Sequence, residues 1–149
     1  MLTILWLDND VAQTDPYVHE LQRRGHAVQV VKRIAECEDL LNAAFNGARY
    51  DMLILDVMIP TKDAAEEERY DPVSTDRGNI TGLAFWKQWR QRLAEMSTKV
   101  LVLTVRLDRT IKQQFLAAAL PIESFATKLQ LREVSDFVKR VEQIASNDK

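Results

Sequence analysis

The chain has 149 residues and a single cysteine, Cys37, so one domain (1–149) with a sizeable core is expected and an internal disulfide is excluded. A net charge of −2 without a basic block argues against a nucleic-acid surface, and no run approaches the ~20 apolar residues of a membrane span. The opening stretch lacks the basic region and cleavage site of a secretory signal, so the expected location is the cytoplasm.

Leu2 to Leu7 is a short apolar run ending in Asp8-Asn9-Asp10, which predicts a buried first strand with an acidic loop at its carboxyl end. Asp15-Pro16 suits a helix start, because aspartate caps and proline fits the first turn. Val18 and Leu21 mark that helix's inner face, and Gly25 is its stop. His26 to Val31 alternates and is β-branched, predicting a second strand. Ile34, Cys37, Leu41, Ala44 and Phe45 fall at helical spacing until Asn46-Gly47. The third strand, Asp51 to Asp56, contains the continuous run Met-Leu-Ile-Leu, the pattern of a strand covered on both faces. Such a strand has no interior place for a carboxylate, so Asp56 belongs at its carboxyl end. In open α/β sheets ligands collect at that edge.

Thr61 to Asn79 differs in kind. It has few large apolar residues, carries Glu66-Glu67-Glu68, and sets six acidic residues against three basic ones. The expectation is an acidic insertion at about 61–79 whose glutamates form a solvated face. Asp71-Pro72 and Arg77-Gly78-Asn79 are turn signals within it.

Gly82, Trp86, Trp89, Leu93 and Met96 then repeat at helical spacing, with both tryptophans expected in the core. Lys99 to Val105 is a fourth buried strand with Thr104 at its end. Ile111, Phe115, Ala118 and Ala119 form the next helix face, stopped by Pro121, and Ile122 to Ala126 is a short fifth strand followed by Thr127-Lys128. A last helix is expected from about Gln130 to Ser146. Five strands alternating with five helices predict an α/β fold, a doubly wound five-stranded parallel sheet flanked by helices. Right-handed crossovers put all strand carboxyl ends on one edge, which collects Asp8, Asn9, Asp10, Asp56, Thr104 and Lys128. His19 and His26 have no partners at metal-ligand spacing, and Cys37 lies on an apolar helix face.

Carboxylates sharing one edge repel. Two at ~4 Å cost on the order of 4 kcal/mol at an effective dielectric near 20. A divalent cation with oxygen ligands and retained waters relieves that cost, which points to Mg²⁺. Asp56 is then placed to attack a phosphorus atom, with Lys128 and Thr104 bonding phosphoryl oxygens.

These residues, in this order and at these strand ends, resemble the receiver domain of the bacterial two-component response regulators, a flavodoxin-like fold. The resemblance rests on the acidic turn at Asp8, on Leu55-Asp56-Val57-Met58-Ile59-Pro60, on Thr104, and on Phe125 three residues before Lys128. It implies that Asp56 is the phosphoacceptor, receiving its group from a histidine kinase or phosphotransfer protein. It further implies that Asp8, Asn9 and Asp56 hold Mg²⁺, with Asp10 and the backbone carbonyl of Met58 as further candidates. Thr104 and Phe125 would be switch residues that repack the face of the predicted fourth helix, fifth strand and last helix. Signalling is then expected to pass to a downstream protein partner from a monomer or weak dimer, with no output domain expected after Ser146 if this is the full protein.

Four positions depart from the family pattern. Asn9 stands where a second acidic residue is usual, Leu129 where proline follows the lysine across a cis bond, and Val105 where alanine or glycine follows the threonine. Gly82 comes 22 positions after Pro60, farther than is usual, which marks the acidic segment as an insertion. Two alternatives therefore stand beside the phosphorylated switch. One is a degenerate receiver-like interaction module that works without phosphorylation. The other is a haloacid-dehalogenase-type phosphatase using Asp8 as nucleophile and Asp10 as general acid. A dinucleotide or flavin site would want glycines and free amides where this chain has Asp8 and Asp10.

Overall fold

In the computed structural model, residues 1–75, 80–105 and 109–147 are described. The turn signal Arg77-Gly78-Asn79 lies outside them. The strands are β1 (Thr3–Leu7), β2 (Ala27–Val31), β3 (Met52–Asp56), β4 (Lys99–Thr104) and β5 (Phe125–Thr127), all parallel in the order β2-β1-β3-β4-β5. The helices are α1 (Val11–Arg23), α2 (Ile34–Phe45), α3 (Ala64–Arg69), α4 (Thr81–Glu95), α5 (Arg109–Ala117) and α6 (Val134–Ser146). No helix among the described residues is long and apolar enough to cross a membrane.

The apolar runs serve two cores at once, because successive strand residues point to opposite faces. Leu5, Leu7, Leu53, Leu55, Val100 and Val102 face a cluster with Ile34, Leu41, Phe85, Trp89, Ile111 and Phe115. Ile4, Trp6, Met52, Ile54, Leu101 and Leu103 face the opposite cluster, closed by Leu21 and by Phe137, Val138, Val141 and Ile144 of α6. Trp86 and Trp89 are core residues, as expected, and Cys37 is buried. Burial pushes the Cys37 thiol far above its ordinary range. His26 ties an end of the sheet together: its Nδ1 accepts from Leu2 N at 3.0 Å and its Nε2 meets Glu142 at 3.0 Å.

Several boundaries differ from expectation. Helix α1 starts a turn earlier than Asp15-Pro16, at Val11, because Asp10 caps it by accepting from Gln13 N at 3.3 Å. Pro16 is carried inside the helix, where it has no N–H for the carbonyl four residues back and its ring crowds that carbonyl. Helix α6 starts at Val134 rather than Gln130, because Gln130 closes a turn with Thr127. Thr127 N donates to Gln130 Oε1 at 2.9 Å, and Gln130 N donates to Thr127 Oγ1 at 3.1 Å. Strand β5 is displaced to Phe125–Thr127, since Pro121 launches a 3-10 turn over Ile122–Ser124.

The largest difference lies in the acidic segment, which adds a sixth helix and is not a solvated face throughout. Asp63 caps α3 by accepting from Glu66 N at 3.0 Å. Glu66 and Tyr70 are fully buried, while Glu67 and Glu68 are exposed. The Glu66 carboxylate accepts from Ala35 N at 2.9 Å and Lys62 N at 2.6 Å. Ala35 is in the first turn of α2, whose own cap residue, Arg33, offers no side-chain bond. Glu66 thus caps α2 from another part of the chain, where amide donors and the helix dipole both favour a carboxylate. Arg33 in turn bonds Asp63 at 2.5 Å.

Buried Glu38 of α2 completes the junction. It accepts from Arg69 Nη2 at 2.5 Å, Tyr70 Oη at 2.7 Å and Trp89 Nε1 at 3.1 Å. Tyr70, Phe85 and Trp89 stack in sequence, with centroids 6.5 and 5.7 Å apart. Burial, and then the neighbouring Glu38, raise the Tyr70 phenol well above its usual range. These contacts join residues far apart in sequence, so local composition could not announce them.

Candidate functional site

Parallel register brings the polar strand ends together. Leu7 pairs with Leu55, so Asp8 and Asp56 each fall one residue beyond, or at the end of, the same rung. Thr104 pairs with Thr127, and Lys128 is the next residue. Lys128 N donates to the Thr104 carbonyl at 2.8 Å, fixing where its side chain departs. Its ammonium lies 3.0 Å from Asp8 Oδ2 and 3.8 Å from Asp56 Oδ2, spanning the two carboxylates. No described peptide bond is cis, so Lys128 reaches both with Leu129 behind it on a trans bond.

Asp8, Asp56 and Thr104 are all buried. Asp56 Oδ1 accepts from Met58 N at 3.2 Å, and Asp8 Oδ1 accepts from Asp10 N at 2.9 Å. Burial, followed by the charge of Asp8, pushes the Asp56 carboxyl up to about 7, against the opposing pull of Lys128 and of the Met58 N–H. Gly82 packs directly beneath. Its N–H donates to the Val57 carbonyl at 2.9 Å, and a Cβ there would lie 2.4 Å from the Asp56 carbonyl oxygen. Only glycine allows α4 to approach the end of β3 this closely.

The other candidates are arranged less tightly. Asn9 is exposed, and Asp10 spends a carboxylate oxygen on the cap of α1. Val105 and Leu129 are each 57% exposed. Phe125 is buried and meets Phe115 at 5.6 Å, tilted by 48°. Among the described residues, no three Asp, Glu, His or Cys side chains are grouped so as to hold a metal by themselves. The side-chain oxygens here whose chemistry suits a hard cation are the Asp8 and Asp56 carboxylates, both within reach of the Lys128 ammonium. The Asp56 carboxyl is elevated first by burial and then by the charge of Asp8, and a cation bound there would offset both. Sequence reasoning missed Glu38 and Glu66, whose buried carboxylates lie on the α2 side.

An α/β sheet whose carboxyl edge carries a buried aspartate, a neighbouring aspartate, a threonine and a lysine defines a doubly wound fold with an acidic switch-point site. No family model matches the sequence and no curated protein matches it. Solved structures do. A response regulator from Thermotoga maritima aligns with a TM-score of 0.70 at 18% identity, covering 99% of each chain. The chemotaxis protein CheY4 of Vibrio cholerae gives 0.66 at 22%, covering 97% of this chain and 98% of that one. A LuxR-family DNA-binding response regulator from Staphylococcus aureus gives 0.70 at 12%, covering 98% and 100%. The chain has the fold of response regulator receiver domains.

Proposed function

We propose that the chain is a phosphorylation-dependent signalling switch whose phosphoacceptor is Asp56. The observation that carries this reading is the Lys128 ammonium lying 3.0 Å from Asp8 and 3.8 Å from Asp56 at the carboxyl edge of the sheet. In the reaction, an Asp56 oxygen forms a bond to phosphorus as the donor's P–N bond breaks and the imidazole of a phosphohistidine leaves. Lys128 opposes the burial and the Asp8 charge that disfavour ionised Asp56, and would then neutralise a phosphoryl oxygen. Mg²⁺, held by Asp8, Asp56 and the Met58 carbonyl, would supply the remaining charge neutralisation. The donor would be a histidine kinase or phosphotransfer protein. Thr104 and Phe125 would couple the new charge to the face of α5, β5 and α6, which a downstream protein would read.

One observation favours a second reading. With Asn9 exposed and Asp10 committed to capping α1, the acidic set is reduced to Asp8 and Asp56. A receiver-like module that binds its partner without phosphorylation is consistent with that reduced set. Incubation with Mg²⁺ and acetyl phosphate, followed by intact mass, separates the readings. One added phosphoryl group, lost in Asp56→Asn, supports the switch. Absence of an adduct with both acetyl phosphate and a phosphohistidine donor refutes the switch and favours the module. Steady phosphate release that survives Asp56→Asn but stops in Asp8→Asn would instead mark a phosphatase.

A further inference from the structure

His26 leads into β2 at the amino end of the sheet, the opposite edge from Asp56. Its side chain is 8% exposed, and both ring nitrogens are engaged. Nδ1 accepts at 3.0 Å from the N–H of Leu2, the residue before β1. A backbone amide can only donate, so Nδ1 carries no proton. In the neutral ring the proton therefore sits on Nε2, which donates to Glu142 Oε2 of α6 at 3.0 Å.

The two contacts respond to a second proton in opposite ways. That proton can bind only Nδ1, where it sets donor against donor and ends the bond to Leu2. It also gives the ring a full charge beside the Glu142 carboxylate, turning a hydrogen bond into an ion pair. The other charges around the ring are few. Arg24, in the turn after α1, lies 3.3 Å from Glu142 Oε1 and 3.5 Å from Glu20. Asp51 accepts from Thr3 N at 2.8 Å, one residue further along the chain, and the Met1 ammonium precedes Leu2. The other half of the rung is independent of the ring, because Ala27 N donates to the Leu2 carbonyl at 2.8 Å. We infer that His26 is a proton-operated clasp: neutral it holds both Leu2 and Glu142, and charged it releases Leu2 and grips Glu142 of α6 alone. Histidine ordinarily changes charge between about pH 5 and 8, so the clasp gives α6 a response to pH that does not pass through Asp56.

NMR of the intact, ¹⁵N-labelled chain tests this, with His19, exposed on α1, as the control histidine. Long-range ¹H–¹⁵N correlation at about pH 8 should show the His26 proton on Nε2, and a proton on Nδ1 overturns the inference. On titration to about pH 5 the Leu2 amide should move together with the His26 ring, at one midpoint. Its protection against exchange should fall about threefold to tenfold, the worth of one net hydrogen bond, while that of Ala27 N holds. A His26 ring that stays neutral across this range overturns the inference, as does a Leu2 amide that moves with His19 or not at all. His26→Asn keeps an oxygen for the Leu2 N–H and cannot titrate, so the Leu2 amide should become flat over the same range; one that still titrates refutes the clasp. Should that variant not fold, Glu142→Gln keeps an acceptor for Nε2 without its charge, and the shared midpoint should move to lower pH. A midpoint left in place by Glu142→Gln refutes the ion pair. None of these outcomes depends on Asp56 being phosphorylated.

Discussion

Replacing Asp56 with asparagine should stabilise the fold, and by an amount that depends on pH. The Asp56 carboxyl is pushed from its ordinary 3.8 to about 7 by burial and by Asp8. An acid with a raised folded pKa holds its proton more firmly when folded, so its ionisation opposes folding. That penalty is absent below about 3.8 and complete above about 7. The interval corresponds to on the order of 4 kcal/mol. Asparagine keeps an oxygen for the Met58 N–H and removes the charge. Asp56→Asn should therefore gain on the order of 2–4 kcal/mol at pH 8 in EDTA. For a chain of this size that is a rise in Tm of roughly 5–15 °C. The gain should shrink toward zero as the pH falls to about 4, and Mg²⁺ should narrow it at pH 8 by stabilising the parent. Thermal unfolding followed by circular dichroism at both pH values is the assay. A variant no more stable than the parent at pH 8, or one with equal gains at both pH values, would refute the reasoning.

Gly82→Ala should lower the stability measured by urea unfolding by ~1–3 kcal/mol, because the new methyl meets the Asp56 and Val57 backbone rather than a movable side chain. In an open helix the same change would stabilise, so a neutral or positive result would contradict the close approach of α4. Tyr70→Phe removes one of three donors to buried Glu38 and should cost roughly 1.5–3 kcal/mol in urea unfolding. A loss under about 0.5 kcal/mol would mean that the phenol does not hold the carboxylate. Glu66→Ala should cost roughly 2–4 kcal/mol and speed amide exchange at Ala35 and Lys62 together. Unchanged exchange at both amides would rule out the cap.

The sheet was legible in the sequence because its strands are buried on both faces, and a run such as Met52–Leu55 has no other economical home. The site was legible for a related reason. A polar residue directly after such a run must fall at the strand's end, which puts Asp8, Asp56 and Thr104 on one edge. Helix starts were less legible, because Asp10 and Asp15 are equally good caps by type. What decides between them is the short reach from Leu7 to α1. The acidic segment was misjudged for a deeper reason. Glutamate is almost never fully buried unless paired, and apart from the nearby Lys62 N–H the partners of Glu66 and Glu38 lie about 30 to 50 residues away.

The segment that looks dispensable has become part of the scaffold it joins. Suppose residues 61–79 were excised to leave a short connection. Glu38 would keep the Trp89 indole and lose both Arg69 and Tyr70, leaving a carboxylate in the core with one donor. The first turn of α2 would lose its foreign cap at the same stroke. A trimmed chain would therefore need changes at positions 38 and 89, and a cap of its own near position 33, before it could be as stable as the parent. The loop and the helices beneath it can be exchanged between such folds only as a set.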